Sequence, residues 1–313
     1  MPATLMDGTR LAREIVADSA GRAAALTAAT GITPCLATVL VGDDPASVTY
    51  VRMKQNRSRQ AGIISRHVGL PSGTSTRHLV DVISGLSGDP AVHGILLQHP
   101  VPAHIDERAA FEAIAPHKDV DGVTMRSFAA MAFGYPAFAS CTPGAIMRLL
   151  DAYQVDPRGQ HAVVIGRSPI LGRPAGLLLL ARDATVTYCH SRTRGLAQVA
   201  ATADILVAAV GQPALVRGSW IKPGAVVVDA GYNPGNVGDV AFTEALAAAR
   251  LLTPVPGGVG PMTIAVLLAQ TIDAAAAIAA AAAGAAPARP SSLAGQLSKA
   301  SGGGQAQTRF RSP

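Results

Sequence analysis

The first chemically suggestive pair in the sequence is Tyr50 and Lys54, in the segment DDPASVTYVRMK at residues 43–54. The acids, proline and serine are typical of a helix start, and a spacing of four puts the phenol and the ammonium on one helix face. In a partly dry cleft, such a tyrosine can stack on a flat ligand while the pKa of the lysine is tuned for proton transfer. A surface Tyr/Lys pair is the alternative. Only four of the 26 basic residues are lysines, which draws attention to a group that can lose its proton.

Further polar groups follow the third apolar run of the chain. The run ends at Gln98 in GILLQHPVP, residues 94–102. An amide at the carboxyl end of a parallel strand stands at the edge where open α/β sheets bind ligands. The segment PHKDVDG, residues 116–122, adds Asp119 and Asp121, and a carboxylate can accept paired hydrogen bonds from an amino-pyrimidinone ring such as a pterin. Turn capping is the alternative for each acid, and we expect it for one of them.

A glycine turn, GRSPILGRP at residues 166–174, stands between an apolar run ending at Ile165 and an apolar helical run. Such a turn is where phosphate groups meet a helix N-terminus. It is neither a strict G-x-G-x-x-G nor a P-loop, which needs lysine after the second glycine, so a plain βα turn remains the alternative. The candidate cofactor contacts here are Gly166, Arg167, Ser168 and Gly172.

The end of the next predicted strand, CHSRTR at residues 189–194, bears on the choice of cofactor. Sites that prefer NAD place an acid there to hold the ribose hydroxyls, and this segment has none. Ser191 and Arg192, together with Arg167, suit the extra 2′-phosphate of NADP. Solvated loop charges are the alternative. The sequence predicts NADP as the cofactor.

The stretch TPVPGGVGPMT, residues 253–263, lies directly before a long apolar helical run. Its proline and glycine content predicts neither strand nor helix. Proline fixes the backbone and glycine lets the main chain approach another molecule closely, so the stretch is expected to form a rigid wall for a flat ligand. An ordinary tight turn is the alternative.

This stretch resembles, almost letter for letter, the C-terminal signature of the bifunctional methylenetetrahydrofolate dehydrogenase/methenyltetrahydrofolate cyclohydrolase family. Other blocks of the chain resemble the same family in the same order, with coverage from about Leu5 to Ala283. These blocks are DPASxxYVxxK, GILxQxPxP, KDVDG, CTPxG, the glycine turn and VGDV at residues 237–240.

The resemblance implies an enzyme that passes a hydride from methylenetetrahydrofolate to NADP and hydrolyses the resulting methenyl cation to 10-formyltetrahydrofolate. It implies Lys54 as the central catalytic group, positioned by Gln98, with Tyr50 stacked on the folate and Asp121 holding the pterin. It also implies that the wall lies beside the ligand, and that the GRS segment and the strand-end serine contact NADP. A homodimer is expected from the resemblance alone. The implied wall residues are Gly257, Gly258, Val259, Gly260 and Pro261.

Three departures from the family pattern stand out. His99 replaces a usual leucine, Asn56 replaces a usual second lysine, and the loop at residues 233–236 is shorter than usual. None removes a catalytic group. We expect an imidazole beside Gln98 to bear on the pH profile or on the balance of the two activities.

Two series of apolar runs and helical segments alternate along the chain and predict an α/β fold with parallel sheets. The predicted strands lie at residues 34–42, 62–70, 92–98, 162–166, 184–190, 204–211, 225–231 and 249–255. The predicted helices lie at about 46–60, 74–87, 141–153 and 262–283.

We place a boundary near residue 140 and expect the active site in the cleft between two domains. Residues 1–139 form a parallel α/β folate domain, and residues 140–261 form a Rossmann-like NADP-binding domain. The helix at 262–286 is expected to pack back on the first domain. Residues 287–313 have the composition of a disordered tail.

Composition excludes several other classes of protein. Upstream of residue 284 the chain has 22 basic and 20 acidic residues, and aromatics are 4%, so no nucleic-acid surface is expected. The apolar stretch 263–286 is interrupted by Gln270 and Asp273, which favours a core or surface helix over a membrane span. The N-terminal segment does not read as a secretory signal, and three scattered cysteines suggest reduced thiols and no metal, so we expect a cytoplasmic protein.

Two rival functions can be weighed from the sequence. A short-chain-type dehydrogenase has the same Tyr-x-x-x-Lys pair, but there the glycine turn precedes the pair, whereas here it follows by more than a hundred residues. A nucleotide-sensing protein without catalysis would be expected to lack Lys54 or Gln98, and both are present.

Overall fold

The computed structural model describes residues 2–284, without the side chains of residues 45–50. The predicted tail at 287–313 lies outside the described residues. The described strands are β1 (Thr4–Leu5), β2 (Cys35–Val41), β3 (Ile64–Leu70), β4 (Gly94–Leu97), β5 (His161–Ile165), β6 (Thr185–Cys189), β7 (Ile205–Ala208), β8 (Val226–Asp229) and β9 (Leu251–Leu252). The described α-helices are α1 (Gly8–Thr30), α2 (Pro45–Gln60), α3 (Thr76–Gly88), α4 (Glu107–Glu112), α5 (Met125–Phe133), α6 (Cys141–Ala152), α7 (Gly172–Leu180), α8 (Leu196–Ala200), α9 (Phe242–Ala248) and α10 (Val259–Ala282).

The N-terminal half is built on a three-stranded parallel sheet in the order β3-β2-β4. Every residue of the central strand β2 is buried, as its continuous apolar run predicts for a strand covered on both faces. Helices α2 and α3 connect the strands in turn, which confirms the predicted strand and helix alternation of this half.

The second sheet has six parallel strands in the order β1-β9-β8-β7-β5-β6. Its chain order reverses between β5 and β7, which lie side by side. In open α/β sheets the ligand crevice forms at the carboxyl ends of the strands at such a switch point. The predicted strands of this half are confirmed, although β9 is only two residues long. Pro254 follows it closely and has no N–H for a strand ladder.

The N-terminal segment joins the two halves, and the sequence reasoning did not foresee this. Strand β1 pairs in parallel with β9 at the edge of the second sheet, and α1 then packs along α10. The start of α1 lies so close to the wall that a Cβ on Gly8 would lie 1.9 Å from the carbonyl oxygen of Gly258. Glycine is therefore required where the first helix meets the wall.

Helix α10 begins earlier than predicted. Residues 259–261 were expected to be non-helical wall, with the helix starting near Met262, but the first turn already includes Val259, Gly260 and Pro261. The first N–H groups of a helix need no partner within it, so proline and glycine are tolerated there. The wall is therefore part loop and part helix N-terminus.

The length and hydropathy of α10 would also suit a membrane span, and within residues 2–284 only this helix meets that test. Of its most apolar window, 72% is buried inside the fold. It packs against α1, as expected for a helix returning to the N-terminal half, and also against α6. These contacts are those of a core helix. The predicted end at residue 286 lies outside the described residues.

Candidate active site

Lys54 and Gln98 come together although they are 44 residues apart in sequence. Lys54 lies on α2 and Gln98 directly follows β4, where its backbone N–H donates to Val39 O at 2.8 Å. The ammonium Nζ of Lys54 donates to Gln98 Oε1 at 2.9 Å. Gln98 Nε2 donates to the carbonyl of His99 at 2.9 Å, which turns the amide oxygen towards the lysine. The amide at the carboxyl edge of the sheet thus orients the lysine.

Lys54 is half-buried in the fold. Burial lowers the pKa of Lys54, while the nearby Asp121 carboxylate raises it less strongly. A lowered pKa makes it easier for the lysine to release and regain a proton. The site therefore holds a group fit for proton transfer.

The two acids of KDVDG have different roles in the fold. Asp119 is fully buried and accepts four hydrogen bonds, from the N–H groups of Val123 and Thr124 at 3.0 Å each and from the hydroxyls of Thr124 at 2.7 Å and Ser127 at 2.6 Å. It caps the turn before α5, and its complete burial keeps it from a ligand. Asp121 is the acid left to face the site, and it is partly exposed.

Asp121 lies among ionisable groups from three segments. Burial raises its pKa, while His99, then Lys54, then a hydrogen bond with Cys141 favour the charged form. The ring of His99 also packs edge-on against Phe111, with centroids 6.1 Å apart. His99, which departs from the family pattern, thus supports the charge on Asp121.

Cys141 is a site residue that the sequence reasoning missed. It was counted only among scattered cysteines, although it opens the CTPxG block and so could have been noticed there. Its thiol donates to Val120 O at 3.2 Å, and burial raises its pKa well above the usual range. It is therefore a neutral donor beside Asp121, not a thiolate nucleophile.

Tyr50 lies within α2, one turn before Lys54. Its side chain is outside the described part of the chain. Its stacking on a flat ligand stays a prediction.

The wall is fixed to both neighbouring helices. Thr9 N donates to Gly257 O at 3.0 Å, and Thr263 Oγ1 lies 3.2 Å from Thr142 Oγ1 at the start of α6. Gly257 has a φ of 108°, which only glycine adopts without strain. Because Thr142 follows Cys141 directly, the wall and the Asp121 cluster are joined through the first turn of α6.

The glycine turn lies at the switch point of the second sheet. Gly166 has a φ of 125°, and a Cβ there would lie 2.2 Å from Ala209 O on the neighbouring strand end. A Cβ on Gly172 would lie 2.4 Å from Gly166 O, so the turn folds tightly onto the start of α7. Ser168 Oγ accepts a hydrogen bond from Leu171 N at 3.1 Å. A tight turn between a strand and a helix N-terminus is where a pyrophosphate can bind.

The predicted cofactor cations lie on neighbouring strand ends. Ile165 pairs with Cys189, so Arg167 follows β5 and Ser191 and Arg192 follow β6 at the same sheet edge. All three side chains are exposed. A cationic, hydroxyl-bearing edge of this kind suits a phosphate on the adenosine ribose.

Two buried carboxylates, Asp239 of the VGDV block and Asp229 of the strand predicted at 225–231, shape the other side of this crevice. Asp239 accepts hydrogen bonds from the N–H groups of Val210 at 2.6 Å, Gly211 at 2.9 Å and Gln212 at 2.8 Å, and so holds the loop after β7. Asp229 in turn accepts from Asp239 N at 3.0 Å. Burial raises the pKa of Asp229 to about 6, against the pull of its backbone donors.

No cluster of three or more His, Cys, Asp or Glu residues fit to hold a metal occurs among residues 2–284. The three cysteines are all buried and unpaired. A hollow of about 290 Å³ opens at the opposite, amino edge of the second sheet, near the ion pair of Lys222 with Asp204 at 2.6 Å. It contains none of the predicted site residues, so the chemistry is assigned to the carboxyl edges.

Two family models match this chain. The catalytic domain of tetrahydrofolate dehydrogenase/cyclohydrolase matches residues 6–121, and the NAD(P)-binding domain of the same family matches residues 140–279. Among curated relatives, bifunctional protein FolD 1 of Streptomyces avermitilis is 71% identical over 274 residues, covering 88% of this chain and 96% of that protein. Bifunctional protein FolD of Shouchella clausii is 55% identical, covering 87% and 97%.

Solved structures agree with these matches. The bifunctional FolD dehydrogenase/cyclohydrolase of Campylobacter jejuni is 41% identical with a TM-score of 0.85, covering 87% of this chain and 98% of that one. The Trypanosoma brucei enzyme, solved with NADP cofactor and an inhibitor, is 37% identical with a TM-score of 0.84, covering 87% and 97%. The two-domain α/β fold predicted from the sequence is confirmed.

Proposed function

We infer that this chain, which belongs to the tetrahydrofolate dehydrogenase/cyclohydrolase family, oxidises 5,10-methylenetetrahydrofolate with NADP and hydrolyses the methenyl product to 10-formyltetrahydrofolate. The observation that carries the assignment of residues is the contact of Lys54 Nζ with Gln98 Oε1 at 2.9 Å, beside Asp121. These three side chains form the proposed centre for both steps.

The oxidation step needs alignment of two flat rings more than it needs a proton relay. Bound NADP supplies the acceptor for the hydride. Gly166 and Gly172 fit that cofactor indirectly: a Cβ at either would clash with the backbone at Ala209 or Gly166, so glycine allows the tight turn that brings a strand end to the helix N-terminus where a pyrophosphate binds. We assign Ser168, Ser191 and the two arginines at the sheet edge, Arg167 and Arg192, to the cofactor phosphates and ribose. The site residues of the N-terminal half, Lys54, Gln98 and Asp121, align the folate.

The folate is proposed to lie between Asp121 and the wall at residues 257–261, with Tyr50 on one ring face. An ionised carboxylate accepts the two parallel N–H groups of an amino-pyrimidinone. His99 and Lys54 favour that ionised form of Asp121. The acid therefore sets the orientation of the pterin, and the lysine faces the one-carbon unit.

The hydrolysis step uses the proton balance of Lys54. The oxygen of a water molecule bonds to the cationic methenyl carbon as neutral Lys54 takes its proton. The bond from that carbon to N5 then breaks as the new hydroxyl loses its proton and N5 takes up the proton held by Lys54, which leaves the formyl group on N10 and releases one proton overall. Gln98 holds the amine in line throughout through its 2.9 Å contact. Burial, which lowers the pKa of Lys54, makes the neutral form accessible.

We also propose a cytoplasmic homodimer, with a folate domain at 1–139, an NADP domain at 140–261 and the helix 262–286 returning to the first. The family resemblance supports the dimer, and the sequence composition supports the compartment. Light scattering on the purified chain tests the first, and a mass near twice 31.7 kDa is expected.

A pair of assays on one preparation tests the function. The first follows reduction of NADP or NAD with methylenetetrahydrofolate, and the second follows loss of methenyltetrahydrofolate without any nucleotide. We expect both activities, with NADP preferred. A preparation that binds NADP but has neither activity would contradict the proposal and favour a nucleotide-sensing role.

A further inference from the structure

Gln270 is a fully buried amide in the middle of the apolar helix α10. Its Nε2 donates to Val120 O at 2.7 Å and to Ala139 O at 3.1 Å, and lies 3.4 Å from Cys141 Sγ. Among the described residues its Oε1 has no hydrogen-bond partner. Among the described residues, the amide therefore makes hydrogen bonds only through its nitrogen. All of these contacts lie at one place in the fold.

That place is the backbone on either side of Asp121. Val120 precedes it directly, and Cys141 N donates to the carbonyl of Asp121 at 3.3 Å. Ser140 Oγ donates to Gly122 O at 2.8 Å, and the Cys141 thiol shares Val120 O with Gln270. The segment 120–122 is therefore held to residues 139–141, and Gln270 joins both to α10.

A polar contact of this kind also fixes the axial position of α10. The helix is rich in alanine and most of its residues are buried. Apolar packing alone therefore specifies its position along its own axis only weakly. Buried hydrogen bonds are directional and costly to leave unmade, so they select one register. Gln270 and Thr263 are bonded to the 139–142 segment at two levels of the helix, and the first turn of the same helix forms part of the wall.

We infer that Gln270 is a positioning residue for folate binding, which sets Asp121 relative to the wall without touching the substrate. This inference rests on the proposed function, in which Asp121 holds the pterin. A displacement of about 1 Å between reacting or binding groups can cost about a hundredfold, so loss of this link has a measurable effect.

The test compares Gln270→Met with Thr271→Val in the full chain. Methionine matches the length of glutamine and removes both donors. Thr271 is the matched control because it is equally buried on the same helix, but its hydroxyl donates within the helix to Leu267 O at 2.8 Å. We expect Gln270→Met to raise the KM for methylenetetrahydrofolate by about ten- to a hundredfold. The KM for NADP, and the folate KM of Thr271→Val, should stay within about threefold of the unmodified protein.

A double-mutant cycle with Asp121→Asn separates positioning from general damage. If Gln270 acts through Asp121, Gln270→Met should add less than about threefold to the folate KM in the Asp121→Asn background. Full additivity, or an equal KM rise in Thr271→Val, would overturn the inference. If Asp121→Asn raises the folate KM while Gln270→Met does not, the inference is wrong and the proposed function stands. If Asp121→Asn has no effect on that KM, the proposed role of Asp121 fails and the inference with it.

Gln270→Glu keeps the test decisive should the methionine variant not fold. A buried glutamic acid is favoured in its neutral form, which retains one O–H donor for Val120 O. We expect its folate KM to be near that of the unmodified protein at low pH and to rise with pH as the new acid ionises beside Asp121. If the ratio of the folate KM of Gln270→Glu to that of the unmodified protein does not change with pH, the inference is contradicted.

Discussion

Replacing Gln98 with glutamate should move the pH dependence of methenyltetrahydrofolate hydrolysis upwards. The substitution keeps the size of the side chain and the oxygen that accepts from Lys54 Nζ at 2.9 Å. It turns a neutral acceptor into a carboxylate, which favours the protonated lysine and raises its pKa. Because the proposed base is the neutral lysine, the enzyme then needs a higher pH to reach the same rate.

The size of this shift follows from the contact distance. Two unit charges 2.9 Å apart interact by about 6 kcal/mol at an effective dielectric constant of about 20. Desolvation of the new carboxylate and the partial exposure of the site reduce this, so we expect a pKa rise of about one to two units. Each unit corresponds to about 1.4 kcal/mol, so hydrolysis on the acidic limb should fall about tenfold per unit.

The assay is the rate of hydrolysis at saturating methenyltetrahydrofolate across the pH range in which the substrate is stable. Gln98→Met is the control, since it removes the acceptor without adding charge and so cannot raise the pKa of the lysine. Both variants should lose rate through poorer positioning, but only Gln98→Glu should move the acidic limb to higher pH. An unchanged or downward shift in Gln98→Glu would refute the role of Lys54 as the base.

Three further changes test other parts of the site. Lys54→Arg keeps the charge but cannot release a proton, so hydrolysis should fall about a hundredfold or more and hydride transfer less; unchanged hydrolysis on the same preparation would show that the lysine acts as a fixed charge. Arg192→Asp should reduce or reverse the NADP preference, and equal kcat/KM for NADP and NAD in the unmodified protein would refute the cofactor assignment. Asp229 has a folded pKa of about 6 against 3.8, so the folded state keeps a proton that the unfolded chain releases, and its contribution to stability grows as pH falls through this window. Between pH 7 and pH 4.5 the Asp229 carboxyl should add about 2 kcal/mol to the free energy of unfolding measured with denaturant, Asp229→Asn should lack this gain, and an identical pH dependence in both proteins would contradict the assignment.

The sequence indicated the parallel sheets because their buried strands are continuous apolar runs, and it indicated Gln98 because an amide follows such a run. The residue pattern by itself could not distinguish Asp119 from Asp121, since both lie in one polar turn, and only the family resemblance pointed to Asp121. The distinction depends on which acid meets the N–H groups of residues 123 and 124 in three dimensions. The local sequence pattern shows that two acids lie in this turn. The three-dimensional path of the backbone determines which of them accepts these hydrogen bonds.

Long-range contacts account for the other misses. The pairing of β1 with β9 joins residues that are far apart in sequence, and a two-residue strand is too short to give a recognisable sequence pattern. Gln270 was noted only as an interruption of an apolar stretch, and its partners lie 129 to 150 residues away. The early start of α10 is not evident from the sequence because proline and glycine usually break helices, although they are tolerated in a first turn.

The pairing of Leu5 with Leu252 has a consequence for how the protein is made in the cell. At translation rates of about 5 to 20 residues per second, the N-terminal strand is synthesised roughly 12 to 50 seconds before its partner. The first strand must wait throughout this time with its backbone edge unpaired. The wall at residues 257–261 emerges only after that partner, so a nascent chain cannot hold folate until its synthesis is nearly complete.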